Sequence, residues 1–178
     1  MFDKDIRIHG IYATHLKALA RDPQNLTRPY LFNRYIDVYM NAAVIGLFCG
    51  EPIIEPDFSS KDTATIFADA VIREQSTCMY LYRLVMLLDG VSKLTPEQRI
   101  DRTFRDDANE KDTGKLTKNL KLFNSYVYAG IEYMYERIAD KATNTDEMCE
   151  NAYEMMKDFQ EDQRSNLQDP DDYLRQNV

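Results

Sequence analysis

A chain of 178 residues can bury about 70 % of its unfolded surface in one core, so it needs neither a disulfide scaffold nor a structural metal. Six glycines and six prolines are too few for a many-turned all-β fold, and helix formers dominate. The net charge of −8 argues against non-specific nucleic-acid binding by the whole molecule, but it is unevenly spread: residues 1–34 carry Lys4, Arg7, Lys17, Arg21, Arg28 and Arg34 against Asp3, Asp5 and Asp22, whereas eleven acids lie from Asp140 onward.

The chain opens Met1-Phe2-Asp3-Lys4-Asp5, with acids where a signal peptide would be basic, and contains no 18-residue apolar run. A soluble, cytoplasmic protein with no membrane contact is the expectation. Cys49, Cys78 and Cys149 are widely spaced on apolar stripes, which reads as reduced thiols packed as small hydrophobes. Without a Cys-x-x-Cys or a close Cys/His pair there is no zinc signature.

In chain order, the first helix is expected over about Asp5 to Ala20, with Ile8, Tyr12, His15 and Leu19 on one side and Gly10 weakening its first turns. His9 and His15 fall on different faces, and His15 reads as a hydrogen-bonded core histidine. After a break at Asp22 to Asn25, a second helix runs from Pro29 or Tyr30 to Phe48 and stops at Gly50. Ala42, Ala43 and Gly46 on it are small enough to admit another backbone. Glu51 to Asp57 is too proline-rich for helix and is read as an extended strap packing Ile53 and Ile54.

The central helix is read as capped by Ser59, Ser60 or Asp62 and ending near Asp89-Gly90, and the chain is organised around its stretch from Phe67 to Leu88. Phe67, Val71, Cys78, Leu81, Val85 and Leu88 recur at steps of four and three, and Glu74 occupies the slot between Val71 and Cys78. A carboxylate on that seam either carries a function or fixes packing register, satisfied by Arg73, Arg83, a histidine or a tyrosine or by a place near the bundle rim. Thr95-Pro96-Glu97-Gln98 is a helix start with a capping box. The short helix after it groups Arg99, Arg102 and Arg105, with Ile100 and a buried Phe104 opposite. Asp106 to Gly114 is a polar loop. The fifth helix extends from about Lys115 to Ala139, and the sixth follows Thr143-Asn144-Thr145, with Met148, Ala152, Met155 and Phe159 facing inward. Leu31-Phe-Asn-Arg-Tyr35 echoes Leu122-Phe-Asn-Ser-Tyr126, each read as helical, which raises two related halves as one explanation and convergent core use as the other.

Few constellations carry chemistry. Glu147, Glu150, Glu154, Asp158 and Glu161 line one helix face, but an all-α nucleotide hydrolase needs acids on two facing helices to hold Mg²⁺, and the second set is missing its pattern. No Gly-x-Ser-x-Gly and no phosphate-cradling loop occurs, so no catalytic residue, metal ligand or cofactor is assigned. Arg99, Arg102, Arg105, Lys115 and Lys118 form a basic face through which residues 99–121 would meet nucleic acid, although interspersed acids make a salt-bridged surface the stronger reading. Twelve tyrosines without a tryptophan are too many for one core, and Tyr39, Tyr82, Tyr128 and Tyr135 are the candidates for partner contact.

The expectation is therefore an all-α, single-domain antiparallel bundle of five to six helices, four long and one or two short, spanning residues 1–164, with an acidic, partly flexible tail over 165–178. By function it reads as a non-catalytic accessory protein that binds a protein partner or itself, as a homodimer for example. Rival readings are a metal-dependent carboxylate enzyme of the all-α nucleotide hydrolase type and an acidic inhibitor mimicking nucleic acid.

Overall fold

The computed structural model describes residues 1–22, 25, 27–49, 51–106 and 113–166. Among the described residues the protein is 64 % helical, with seven helices and one small sheet. Elements run β1 (Ile6–His9), α1 (Ile11–Leu19), α2 (Tyr35–Cys49), β2 (Thr63–Ile66), α3 (Ala68–Arg73), α4 (Gln75–Leu88), α5 (Pro96–Phe104), α6 (Thr113–Met134) and α7 (Thr145–Asn166), with α6 passing into a π-helical turn at Tyr135–Ala139. The stop at Gly50, most of the polar loop before Gly114 and the tail beyond Asn166 lie outside the described residues.

Two departures from the helical expectation create the sheet. Ile6, Arg7, Ile8 and His9 alternate apolar and charged or polar, a period of two, and they form a strand where the first helix was expected to begin. Gly10 then turns the chain into α1 at φ 69°, where a Cβ would stand 2.4 Å from the Asp57 carbonyl oxygen. Thr63 to Ile66, expected ahead of or within a capped helix start, pairs antiparallel with β1, Ile6 opposite Ile66 and His9 opposite Thr63. Ala64 and Ile66 point into the core.

The central helix is also divided. Phe67 is 65 % exposed and precedes α3, and the helix is interrupted at Glu74 (φ −100°, ψ 14°) before α4 begins. The second helix starts at Tyr35 rather than Pro29, so Leu31 to Arg34 form an irregular approach in which Phe32 bridges Ala20. Leu122 to Tyr126 lies within α6. The two echoed segments thus take different conformations, which removes the structural argument for duplicated halves.

The most extensive helix pair is α2 with α6. A Cβ at Gly46 would sit 1.9 Å from the Tyr126 carbonyl oxygen, and one at Gly130 1.9 Å from that of Ala42. Both contacts are with backbone, so the two main chains meet directly. Against this crossing Phe2, Tyr39, Tyr82 and Phe123 form an edge-to-face cluster with centroids 5.7–6.3 Å apart. The strap holds to α6 through the Ile53 N–H, which donates to the Ser125 carbonyl at 3.0 Å; Ile53 packs on the core while Ile54 is exposed.

Both start signals near the C-terminal half operate. Thr95 and Gln98 exchange hydrogen bonds as a capping box with Pro96 in the first turn. At α7 the capping oxygen is that of Asn144, accepting from the Glu147 N–H at 2.9 Å, while the Glu147 carboxylate accepts from the Thr143 N–H at 2.7 Å. Glu147 at the third helical position thereby closes the cap from the other side.

The glycine crossing yields a direct test. Gly130→Ala would gain about 1 kcal/mol of helix propensity in isolation, yet overpacking against backbone should destabilise the protein by about 3 kcal/mol or more. Gly90→Ala, with nothing within 4 Å of its added methyl, should stay within about 0.5 kcal/mol. Urea unfolding of the two variants beside the parent measures both.

Candidate functional site

A cleft of about 550 Å³ opens along the side of β2 that faces away from β1. One wall is β2 and its continuation, Thr63 to Phe67 with Ala70; the other is built from Lys17 and Arg21 at the end of α1, Asp22, and Asn33 to Ile36 at the start of α2. Lys17 is anchored on the Asp62 carboxylate, which Thr14 also donates to at 3.0 Å. The Lys17 ammonium, opposed by partial burial, holds the Asp62 carboxyl below its ordinary range. Arg34 is fixed by the Asp37 carboxylate and, at 2.9 Å, by that of Glu74. Arg21 is exposed and enters no ion pair among the described residues.

Glu74 is accordingly not a carboxylate embedded in a core seam. Its side chain is 25 % exposed, at the α3–α4 break, and its cation is Arg34 rather than Arg73 or Arg83. Two of the four candidate tyrosines are also corrected. Tyr39, 2 % exposed, donates to Asn124 Oδ1 at 2.9 Å, and Tyr82 is fully enclosed in the aromatic cluster, so neither can touch a partner. Tyr128 and Tyr135 are half-buried, Tyr128 tilted over Tyr12 at 4.8 Å between centroids and Tyr135 stacked on His15.

The basic face does not assemble either, because α5 lies the other way round. Arg102 is buried, while Ile100 and Phe104 are exposed, with the Arg83 guanidinium 5.5 Å over the Phe104 ring. Arg102 Nη1 donates to Asp89 Oδ2 at 2.9 Å and to Ser92 Oγ at 3.0 Å, and Nη2 donates to the Met86 carbonyl. Tyr126 Oη donates to Asp89 Oδ1 at 2.6 Å. Arg99 serves the Leu94 carbonyl at 3.2 Å, Arg105 pairs with Asp101, Lys115 reaches Asp106 at 3.4 Å, and Lys118 is exposed. Burial raises the Asp89 carboxyl, but hydrogen bonds from Ser92, Tyr126 and Arg102 outweigh it and leave the group ionised below its usual range. Tyr126 is pushed up by burial and by that carboxylate.

The acids of α7 do not converge: Glu147 caps its helix, Glu154 meets Lys157, and Asp158 meets Arg137 at 3.2 Å. Among the described residues no three His, Cys, Asp or Glu side chains are placed to hold a metal ion, and no helix is long and apolar enough to cross a membrane. Cys78 is buried, its thiol pushed up to about 11 by burial and by Glu74, whereas Cys149 is exposed rather than packed on a stripe. His15 is buried but stacked flat on Tyr135 at 3.8 Å, and its Nδ1 meets no hydrogen-bond partner among the described residues.

The chain matches no protein-family model, no curated protein and no solved structure. The functional reading therefore rests on the geometry itself, and the cleft beside β2 is what sequence reasoning missed. The excess of cations in residues 1–34 was its one visible trace.

Two measurements follow from these groups. Arg102→Met leaves the Asp89 carboxylate enclosed without its cation and should cost about 3–5 kcal/mol, whereas Tyr126→Phe, removing one hydrogen bond to a charged group, should cost about 1.5–3 kcal/mol by denaturant titration. Burial lowers the pKa of His15, against the opposing pull of Glu136 and Asp140. The unfolded chain therefore binds that proton first, so this contribution is intact above about pH 6.5 and is lost as pH falls below it. The melting temperature of the parent should drop between about pH 7 and 5, and His15→Phe should flatten that segment of the profile.

Proposed function

We propose that the protein is a non-catalytic binding module that docks a segment of another protein in the cleft beside β2. The observation that carries this reading is an unpaired strand edge lying in a cavity. Among the described residues β2 has one hydrogen-bonded neighbour, β1, and its other side lines a space of about 550 Å³ that includes Phe67, a large apolar side chain 65 % exposed. Concave sites with an apolar floor and a few placed polar groups are where ligands bind. The side chains around it include three cations and the hydroxyls of Tyr35, Thr63 and Thr65 but, among the described residues, no serine, cysteine or histidine.

Self-association is the second reading, and a separate surface favours it. Phe48 of α2 and Tyr153 and Met156 of α7 are exposed, and Met156 borders an apolar cavity of about 170 Å³ shared with Val44, Ile45 and Phe159.

A photo-reactive phenylalanine analogue placed at Phe67, and separately at Tyr153, distinguishes the two. Under illumination in cells, the Phe67 position should give a discrete adduct heavier than the 20.8 kDa chain, competed by excess unmodified protein. An adduct of twice the chain mass from Tyr153 alone would favour the self-association reading, and no adduct from either position would overturn both.

A further inference from the structure

Deepening the protein-binding role on which it rests, the geometry points to the occupant: we propose that the cleft takes an extended acidic segment of a partner protein, which adds to β2 as a third strand. The argument begins with the ladder. Ile6 faces Ile66, Ile8 faces Ala64, and the Gly10 N–H donates to the Asp62 carbonyl at 3.0 Å. In an antiparallel pair the closely bonded positions alternate, so Asp62, Ala64 and Ile66 direct their main-chain groups at β1. Thr63 and Thr65 direct theirs outward, into the cleft.

Those outward groups are poised for a strand. The Thr63 N–H is taken by Asp62 Oδ1 at 2.9 Å, which leaves its carbonyl together with both the N–H and the carbonyl of Thr65. A residue set opposite Thr65 in an antiparallel segment would exchange two main-chain hydrogen bonds with it, and the residue two positions along could donate to the Thr63 carbonyl. Pairing of this kind gives affinity without regard to sequence. Specificity comes from the alternating side chains. Residues flanking the one opposite Thr65 point to the same face as Ala64 and Ile66, where Ile36 and Ala70 also line the space, so they should be apolar.

Charge decides the remaining chemistry. Lys17, Arg21 and Arg34 line the cleft with Asp22, and the carboxylates of Asp62, Asp37 and Glu74 pair with Lys17 and Arg34. Lys17 and Arg34 are already engaged, and Arg21 is exposed without an ion pair among the described residues, so Arg21 is the cation that a carboxylate of the segment would meet.

The test is titration of the ¹⁵N-labelled full chain with a synthetic eight-residue peptide alternating valine and aspartate. Two controls accompany it, the valine–lysine counterpart and the acidic peptide N-methylated along its main chain. The acidic peptide should shift the Thr65 amide, slow its hydrogen exchange, and bind at least tenfold tighter than either control. Thr65→Pro removes an outward N–H that no ladder bond uses, so it should keep its melting temperature and lose binding at least tenfold. Arg21→Glu should reverse the preference between the two charged peptides. Equal binding of all three peptides, shifts confined to α7, movement of the Thr65 amide with protein concentration alone, or no binding at about 1 mM would each overturn strand addition. An adduct at Phe67 beside a failed titration removes this inference and leaves the protein-binding role; absence of both removes the two together.

Discussion

The largest helix pair in this fold is set by the direct meeting of two backbones. Where α2 crosses α6, Gly46 faces the Tyr126 carbonyl and Gly130 faces that of Ala42 at distances that leave no room for a methyl group. Close packing of this kind brings many weak contacts into range at once, and it fixes the helices in one register because either neighbouring residue would clash. Its consequences extend along both helices. Tyr39 on α2 and Phe123 on α6 are brought into the same aromatic cluster as Phe2 and Tyr82. The start of α2, with Arg34, Tyr35 and Ile36, is carried to the opening beside β2, so one wall of the cleft is set by a contact elsewhere along the helix.

A buried ion pair does the equivalent work on α5, which has few apolar residues to hold it. Asp89 ends α4 fully enclosed, and Arg102 from α5, Tyr126 from α6 and the Val91 N–H all donate to it. Such a group is costly to enclose unless nearly every lone pair is met, and an incorrectly docked α5 would leave it unmet. Orientation follows from that constraint. With Arg102 and Thr103 turned inward, Ile100 and Phe104 are forced outward, and the guanidinium of Arg83 covers the Phe104 ring.

Periodicity and composition made the helical class legible, as did the small residues of α2 and the two cap signals. They failed where a local pattern had two physical meanings. Ile8 fits a helical stripe read with Tyr12 and His15 and a strand read with Ile6, Arg7 and His9; pairing with β2, sixty residues away in sequence, selects the strand. Phe67 extended the four-three repeat of the central helix, but the repeat cannot see that Phe67 still belongs to the strand's extended run. The inverted α5 was illegible for a different reason. Sorting arginines outward and aromatics inward assumes an uncharged core, and the single carboxylate of Asp89 reverses that preference. Tyr39 and Tyr82 were misplaced because a tyrosine can be wholly buried when its neighbours are edge-on aromatics and its hydroxyl finds an acceptor such as Asn124.

An open strand edge is a hazard that folded proteins usually blunt, because its unpaired groups can template further pairing. Here it is blunted only in part. β2 is four residues long, Asp62 takes the Thr63 N–H, and the cations of α1 and α2 stand alongside, all of which discourage indiscriminate addition. Yet a two-stranded ribbon is marginal by itself, and this one persists because Ile8, Ala64 and Ile66 are buried against the helices. The helices therefore hold the ribbon in a conformation that a ligand does not have to induce. A segment binding there would bear its own ordering cost but no cost of forming the edge, which is the condition under which a short strand can be selective and still bind.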